Sequence, residues 1–249
     1  MKEVIIIGNK PLNNFPMGKI IDSFENNVRC NFIIPGRNND GHTFDKLAMC
    51  SHEYHYFKEN DADLEEILNV YTPRYNEENI RETLPAFKEN ISKYSEIFHA
   101  TDNTSESSSF LRSVKCPHSI MGLPRTGFRV IMDNIIKGYS VFLVNFSLPH
   151  TEHPEFGFVE DKNMNTEASK SEVEDERSRV RKFEEGGVWH PSVHHTKNEV
   201  QIIKWLHEEE IIDASLCLIA DTPELSYNLG GLKFSNYMKQ RVELYTTDP

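Results

Sequence analysis

The residues best suited to chemistry lie in HPSVHHTKNE, His190 to Glu199, which holds three histidines. An imidazole kept neutral near pH 7 can act as a general base, taking the proton of a hydroxyl as that hydroxyl attacks. Directly after it, Val200, Ile202, Ile203 and Leu206 recur at helical spacing. Thr196 and Glu199 fit a capping box, which predicts a helix starting at Thr196. His194 then stands just outside the positive end of a helix, where the dipole disfavours imidazolium. The same residues also read as a plain capped helix, with Glu199 as the capping partner and His194 and His195 as loop side chains.

Two further stretches suit an anionic ligand. GLPRTG, Gly122 to Gly127, precedes Phe128, Val130, Ile131, Ile135 and Ile136 and is followed by Gly138. A loop ending in Thr126-Gly127 at a helix start offers backbone N–H groups, a hydroxyl and the positive dipole end, all suited to phosphate. Without a ligand, Thr126 is simply an N-cap. Near the amino end, Glu3 to Ile7 is an apolar run closed by Gly8, followed by Asn9, Lys10 and Pro11. It reads as a buried strand ending in a turn, and open α/β sheets bind ligands at the carboxyl ends of their strands. Gly8 and Asn9 are therefore candidate nucleotide contacts. No G-x-G-x-x-G or Walker A loop occurs.

These stretches need elements to position them. Helix from Gly18 to Phe24, strand from Asn27 to Ile34 and a third strand at Tyr54 to Phe57 follow the first strand. Leu64, Ile67, Leu68 and Tyr71, then Ile80, Leu84, Phe87, Ile91 and Tyr94, mark two helical faces, with Pro73 stopping the first and Pro85 inside the second. Ile97 to His99 is a short strand, Thr101 to Ser109 a serine-rich loop, Tyr139 to Phe146 a strand and Ala214 to Ala220 another. Residues 161–187 are polar and read as a lid or insertion. The alternation predicts an α/β fold: a Rossmann-like, mostly parallel sheet with helices on both faces, in a single nucleotide-binding domain over 1–249.

Composition narrows the function. The net charge of -12 and pI near 5.4 exclude a basic nucleic-acid footprint. Cys30, Cys50, Cys116 and Cys217 are spread without a C-x-x-C pair, so they read as free thiols, three of them in or beside apolar runs. The apolar run behind Lys2 is too short for a signal peptide, and no run approaches the about 18 apolar residues of a membrane span. The expectation is a cytoplasmic protein without a transmembrane segment, with a peripheral place at the inner membrane face left open although the tail lacks a basic amphipathic helix.

Taken together, the stretches resemble sialyltransferases. GKIIDSFENNVRCN, Gly18 to Asn31, is similar to the long sialyl motif of glycosyltransferase family 29. Ile5 to Pro11 resembles the opening G-N-x-P of that family and of the bacterial family 42. Pro124-Arg125-Thr126-Gly127 is similar to the short motif P-S-T-G. His194 to Glu199 fits the very short motif H-x-x-x-x-E, and His190 to Asn198 resembles the H-Y-x-G-H-S-K-N segment of family 42.

The resemblance implies a GT-A-variant fold and an inverting transferase that moves an acidic sugar, sialic acid, from a CMP-sugar donor to a hydroxyl of a glycan or glycolipid acceptor. It implies nucleotide contacts at Asn9, Asn31, Thr126 and Gly127, to which the strand end adds Gly8 and the need for a phosphate donor adds Arg125, with His194 as general base and His195 as its runner-up. No cofactor and no metal are implied, because a CMP-sugar carries one phosphate; Asp61-Ala-Asp63 suits the start of a helix and is set aside as a metal site. The chain departs from family 42 in lacking two tyrosines after the short-motif strand, where Phe146-Ser-Leu-Pro-His150 stands, and in having Pro191 for the motif tyrosine and Arg125 for the motif serine. Stabilisation of the departing phosphate then falls to His190, His150 or Arg125. Transfer of another CMP-sugar such as Kdo, a non-catalytic cytidine-nucleotide-binding module and an unrelated α/β protein stay open, as does assembly as a homo-oligomer.

Overall fold

A computed structural model describes residues 2–8, 17–30, 41–49, 93–146, 196–218 and 233–246. Among these the strands are Glu3–Ile7 (β1), Asn27–Cys30 (β2), Lys46–Met49 (β3), Glu96–His99 (β4), Ser140–Val144 (β5) and Ile212–Asp213 (β6). The helices are Gly18–Asp22 (α1), Thr104–Ser113 (α2), Thr126–Ile136 (α3), Thr196–Glu208 (α4) and Asn236–Thr246 (α5). All strand pairs are parallel, in the order β4-β3-β2-β1-β5-β6.

The predicted α/β class with helices on both faces is what forms. Val4 and Ile6 of β1 join Val28, Ala48 and Leu143 in a core closed by Leu111, Ile131, Ile202 and Leu206 from α2, α3 and α4. Ile5 and Ile7 face the other way, joining Phe142 and Val144 under Ile20, Ile21, Met238 and Val242 from α1 and α5. Successive residues of β1 thus enter opposite cores, which is why its sequence is continuously apolar instead of alternating. The chain walks outward from β1 to β4, then crosses back for β5 and β6 on the other side of β1. The carboxyl ends of β1 and β5 therefore flank the topological switch point, where open sheets bind ligands.

Several stretches correct the sequence reading. The serine-rich segment expected as a loop from Thr101 is helical over Thr104–Ser113. Asp102 supplies the missing start: its Oδ1 accepts the Thr104 hydroxyl and the Thr104 N–H, the latter at 3.0 Å, and the hydroxyl bond holds the Asp102 carboxyl below its ordinary range. Ser109 and Ser113 bond back to carbonyls of their own helix, so serine there does not break it. The third strand is Lys46–Met49, ordered at its start by Asn27, whose N–H and Nδ2 donate to Asp45 Oδ2 at 3.0 and 2.9 Å. The strand expected at 54–57, the helices at 64–91 and the lid at 161–187 lie outside the described residues. Tyr94, expected on a helical face, lies just before β4, edge-on to Phe44.

The strand expected at Ala214 to Ala220 is instead β6, two residues earlier, followed by a 3-10 turn over Ser215–Leu218. Asp213 draws the chain off the sheet: its Oδ1 accepts Ser215 N–H at 2.9 Å and its Oδ2 accepts the Ser235 hydroxyl. The carboxyl-terminal segment, silent in sequence, becomes α5. Arg241 fastens it by donating from Nη1 to Glu3 Oε2 at 3.1 Å and from Nε to Ser23 Oγ at 2.9 Å, with its guanidinium 3.8 Å from the Phe24 ring centroid.

Ser107, on α2, is fully buried, and its hydroxyl meets no partner among the described residues. An unsatisfied buried hydroxyl costs about 1–3 kcal/mol, so Ser107→Ala is expected to raise stability by about 1 kcal/mol in urea unfolding. A loss of that size would reveal a partner for the hydroxyl.

Candidate functional site

Gly8 closes β1 with its N–H donated to Val144 O at 2.9 Å. The close parallel approach leaves no room for a side chain. A Cβ on Gly8 would lie 2.4 Å from the Asn145 carbonyl oxygen and 3.1 Å from Phe146 Cγ. Asn145 takes a left-handed conformation, φ 59, which turns the chain at the end of β5 and aims that carbonyl at Gly8. On the other side of the Phe146 ring, a Cβ on Gly127 would lie 2.7 Å from Phe146 Cε1 and 3.9 Å from Cys30 Sγ. One half-buried ring therefore lies against both glycines, and Gly8, Gly127 and Cys30 gather at the carboxyl ends of β1, β2 and β5. Burial pushes the Cys30 thiol up to about 12, so it is an inert, packed thiol at the end of β2.

The short-motif loop enters from α3. The alternative of Thr126 as a plain N-cap does not hold: the N-cap is Arg125, extended at φ -69 and ψ 157, and Thr126 is the first helical residue. Pro124 ahead of it and the extended Arg125 set the turn from which the helix starts. The first N–H groups of a helix have no helical acceptor, so Thr126, Gly127 and Phe128 present theirs at the positive end of α3.

Helix α4 starts at Thr196 as predicted, and Glu199 also bonds outside its own helix. Its carboxylate, 5% exposed, reaches across to α3, where its Oε1 accepts Arg125 N–H at 2.9 Å. Asn198, beside it, accepts Met121 N–H on Oδ1 at 3.1 Å. Thus P-R-T-G and the glutamate of H-x-x-x-x-E, 74 residues apart, touch.

Two residues of the long-motif resemblance are architectural. Asp22 Oδ1 accepts His42 N–H, Thr43 N–H and the Thr43 hydroxyl at 2.7, 2.9 and 2.9 Å. Arg29, 1% exposed, donates from Nε and Nη2 to Thr43 O at 3.2 and 3.1 Å, with Phe44 beside its guanidinium. Both hold the segment that leads into β3.

Of the sequence-predicted site, Gly8, Arg125, Thr126 and Gly127 are described, and Gly8 and Gly127 are brought together by Phe146. Asn9, Asn31, His190, His194, His195, His150 and the Asp61-Ala-Asp63 stretch lie outside the described residues. Phe146, Asn145 and Asn198 were missed. Asn145 and Phe146 follow an apolar strand, where the switch point could have pointed to them; nothing local marks Asn198. Among the described residues, no three His, Cys, Asp or Glu side chains group to hold a metal ion, and no helix is long and apolar enough to cross a membrane.

No protein-family model and no curated protein matches the chain. Among solved structures, an α-2,3-sialyltransferase from Campylobacter jejuni in apo form is similar to it at 14% identity, covering 95% of this chain and 86% of that one, with a TM-score of 0.42. The Campylobacter jejuni sialyltransferase CstII in complex with the substrate analogue CMP-3FNeuAc is similar at 15% identity, covering 87% of this chain and 82% of that one, with a TM-score of 0.38. The fold rests on the sheet order and the two-faced core, not on these superpositions.

Proposed function

We propose that the chain is an inverting, sialyltransferase-like glycosyltransferase that takes a CMP-sugar, with sialic acid as the sugar, and a glycan hydroxyl as acceptor. The observation that carries this is the hydrogen bond from Arg125 N–H to Glu199 Oε1, which joins two motif-like stretches at the switch point of a parallel sheet. A chance pair of sequence matches has no reason to meet in space.

In this reading the phosphate lies at the start of α3, against the N–H groups of Thr126 and Gly127, with Asn9 and Asn31 completing the nucleotide contacts. His194 takes the acceptor proton as the acceptor oxygen bonds to the anomeric carbon, and the bond from that carbon to the phosphate oxygen breaks to release CMP. His190 and Arg125 supply donors to the departing phosphate. One domain over 1–249, residues 161–187 as a lid, independence from metal and a cytoplasmic place belong to the same proposal.

Calorimetry with CMP, CDP, UMP and UDP, first without metal and then with magnesium, tests it on the wild type and on Asn31→Ala. Tight CMP binding that ignores magnesium and collapses in the variant supports the reading. Preference for UDP with magnesium, or no nucleotide binding, ends it. CMP binding without sugar transfer or donor hydrolysis would leave a binding module.

A further inference from the structure

We infer that Asn198 and Glu199 are positioning residues that clasp the nucleotide loop to the first turn of α4; the inference rests on the nucleotide reading above. Both residues sit at a helix start, where polar side chains are ordinarily solvated. Yet Asn198 is 8% and Glu199 5% exposed. Each accepts a backbone N–H of the loop before α3, Asn198 from Met121 at 3.1 Å and Glu199 from Arg125 at 2.9 Å. The two bonds bracket Gly122 to Pro124, so they fix both ends of the segment that sets where α3 begins.

The chemistry of the clasp suits its place. A carboxylate accepting a backbone N–H makes a charge-assisted bond, and the positive end of α3 favours its charge. Gly122, at φ 72, lets the loop turn between the two anchors. Removal of either acceptor frees one end of the nucleotide loop and so loosens nucleotide binding.

The test compares Asn198→Ala, Glu199→Ala and Glu199→Gln with Asn27→Ala, which removes the two side-chain bonds to Asp45 at the amino end of β2, Nδ2 to Oδ2 at 2.9 Å and Oδ1 from Asp45 N–H at 3.3 Å, away from the site. CMP affinity, thermal midpoint and amide hydrogen exchange are measured on each full chain. The two alanine variants at 198 and 199 are expected to weaken CMP binding about tenfold or more, because a bond to a charged or buried partner is lost. Glu199→Gln keeps an oxygen acceptor and is expected to stay within about threefold. Asn27→Ala is expected to lower the midpoint with CMP affinity unchanged.

Alanine variants that bind CMP as the wild type does, or whose affinity falls no more than that of an equally destabilised Asn27→Ala, overturn the inference. Should Glu199→Ala fail to fold, Asn198→Ala decides by the same comparison. If the wild type binds no CMP, the nucleotide reading fails on its own. The clasp is then judged by exchange at Met121 and Arg125: acceleration of about tenfold on removal of the acceptor upholds it, and unchanged exchange overturns it.

Discussion

His194→Ala is expected to lower the rate of sugar transfer about 10²- to 10⁴-fold, the usual contribution of a general base, while CMP affinity stays within about threefold. The separation follows from when the base acts. In the proposed reaction it would meet the acceptor proton only as the acceptor oxygen attacks, after the loop at the start of α3 has bound the donor nucleotide. A loss confined to kcat is the mark of a group that works in the transition state. His195→Ala is the internal control and is expected to stay within about threefold of wild type, since one base suffices for the one proton removed. Reversal of the two effects moves the base to His195. Transfer above about one tenth of wild type in both variants would remove both from the chemistry and leave a binding site at the carboxyl ends of the strands.

Such a prediction leans on sequence, and what sequence could disclose depended on whether the signal was local. β1 and β5 were legible because strands at the centre of a parallel sheet are buried on both faces, so VIII and VFLV are unbroken apolar runs. β3 was not, because Lys46 opens it and its place is fixed by Asp45 bonding to Asn27, 18 residues away. α2 was misread because its serines bond back to their own helix and Asp102 supplies its start. Glu199 shows the same limit at the site. Spacing identifies a carboxylate three residues beyond Thr196, but not whose N–H it meets, and the partner lies 74 residues away. Motif resemblance brought Asp22 and Arg29 forward together with the candidate contacts, though both serve the approach to β3.

Gly8→Ala is expected to cost about 3 kcal/mol or more, at or beyond the upper end of what overpacking a well-packed core costs. The added carbon would stand 2.4 Å from the Asn145 carbonyl oxygen and 3.0 Å from its carbon, and both are backbone atoms at the end of the central strand pair. Relief requires β1 and β5 to part where Gly8 N–H meets Val144 O at 2.9 Å. No rotamer change can supply it. Gly127→Ala provides the contrast, because its clash at 2.7 Å is with the Phe146 ring, a side chain that can be shortened. Phe146→Leu is therefore expected to recover most of the loss in Gly127→Ala and little of the loss in Gly8→Ala, a difference of about 1 kcal/mol or more between the two coupling energies. Urea unfolding of the three single and two double variants gives that difference directly. Equal rescue would mean that Phe146, not the approach of the two strands, demands glycine at position 8. A loss in Gly8→Ala below about 1 kcal/mol would mean that the strand ends yield readily. In that case the proposed nucleotide contact at position 8 is tested directly, and CMP affinity in the same variant should fall while stability holds.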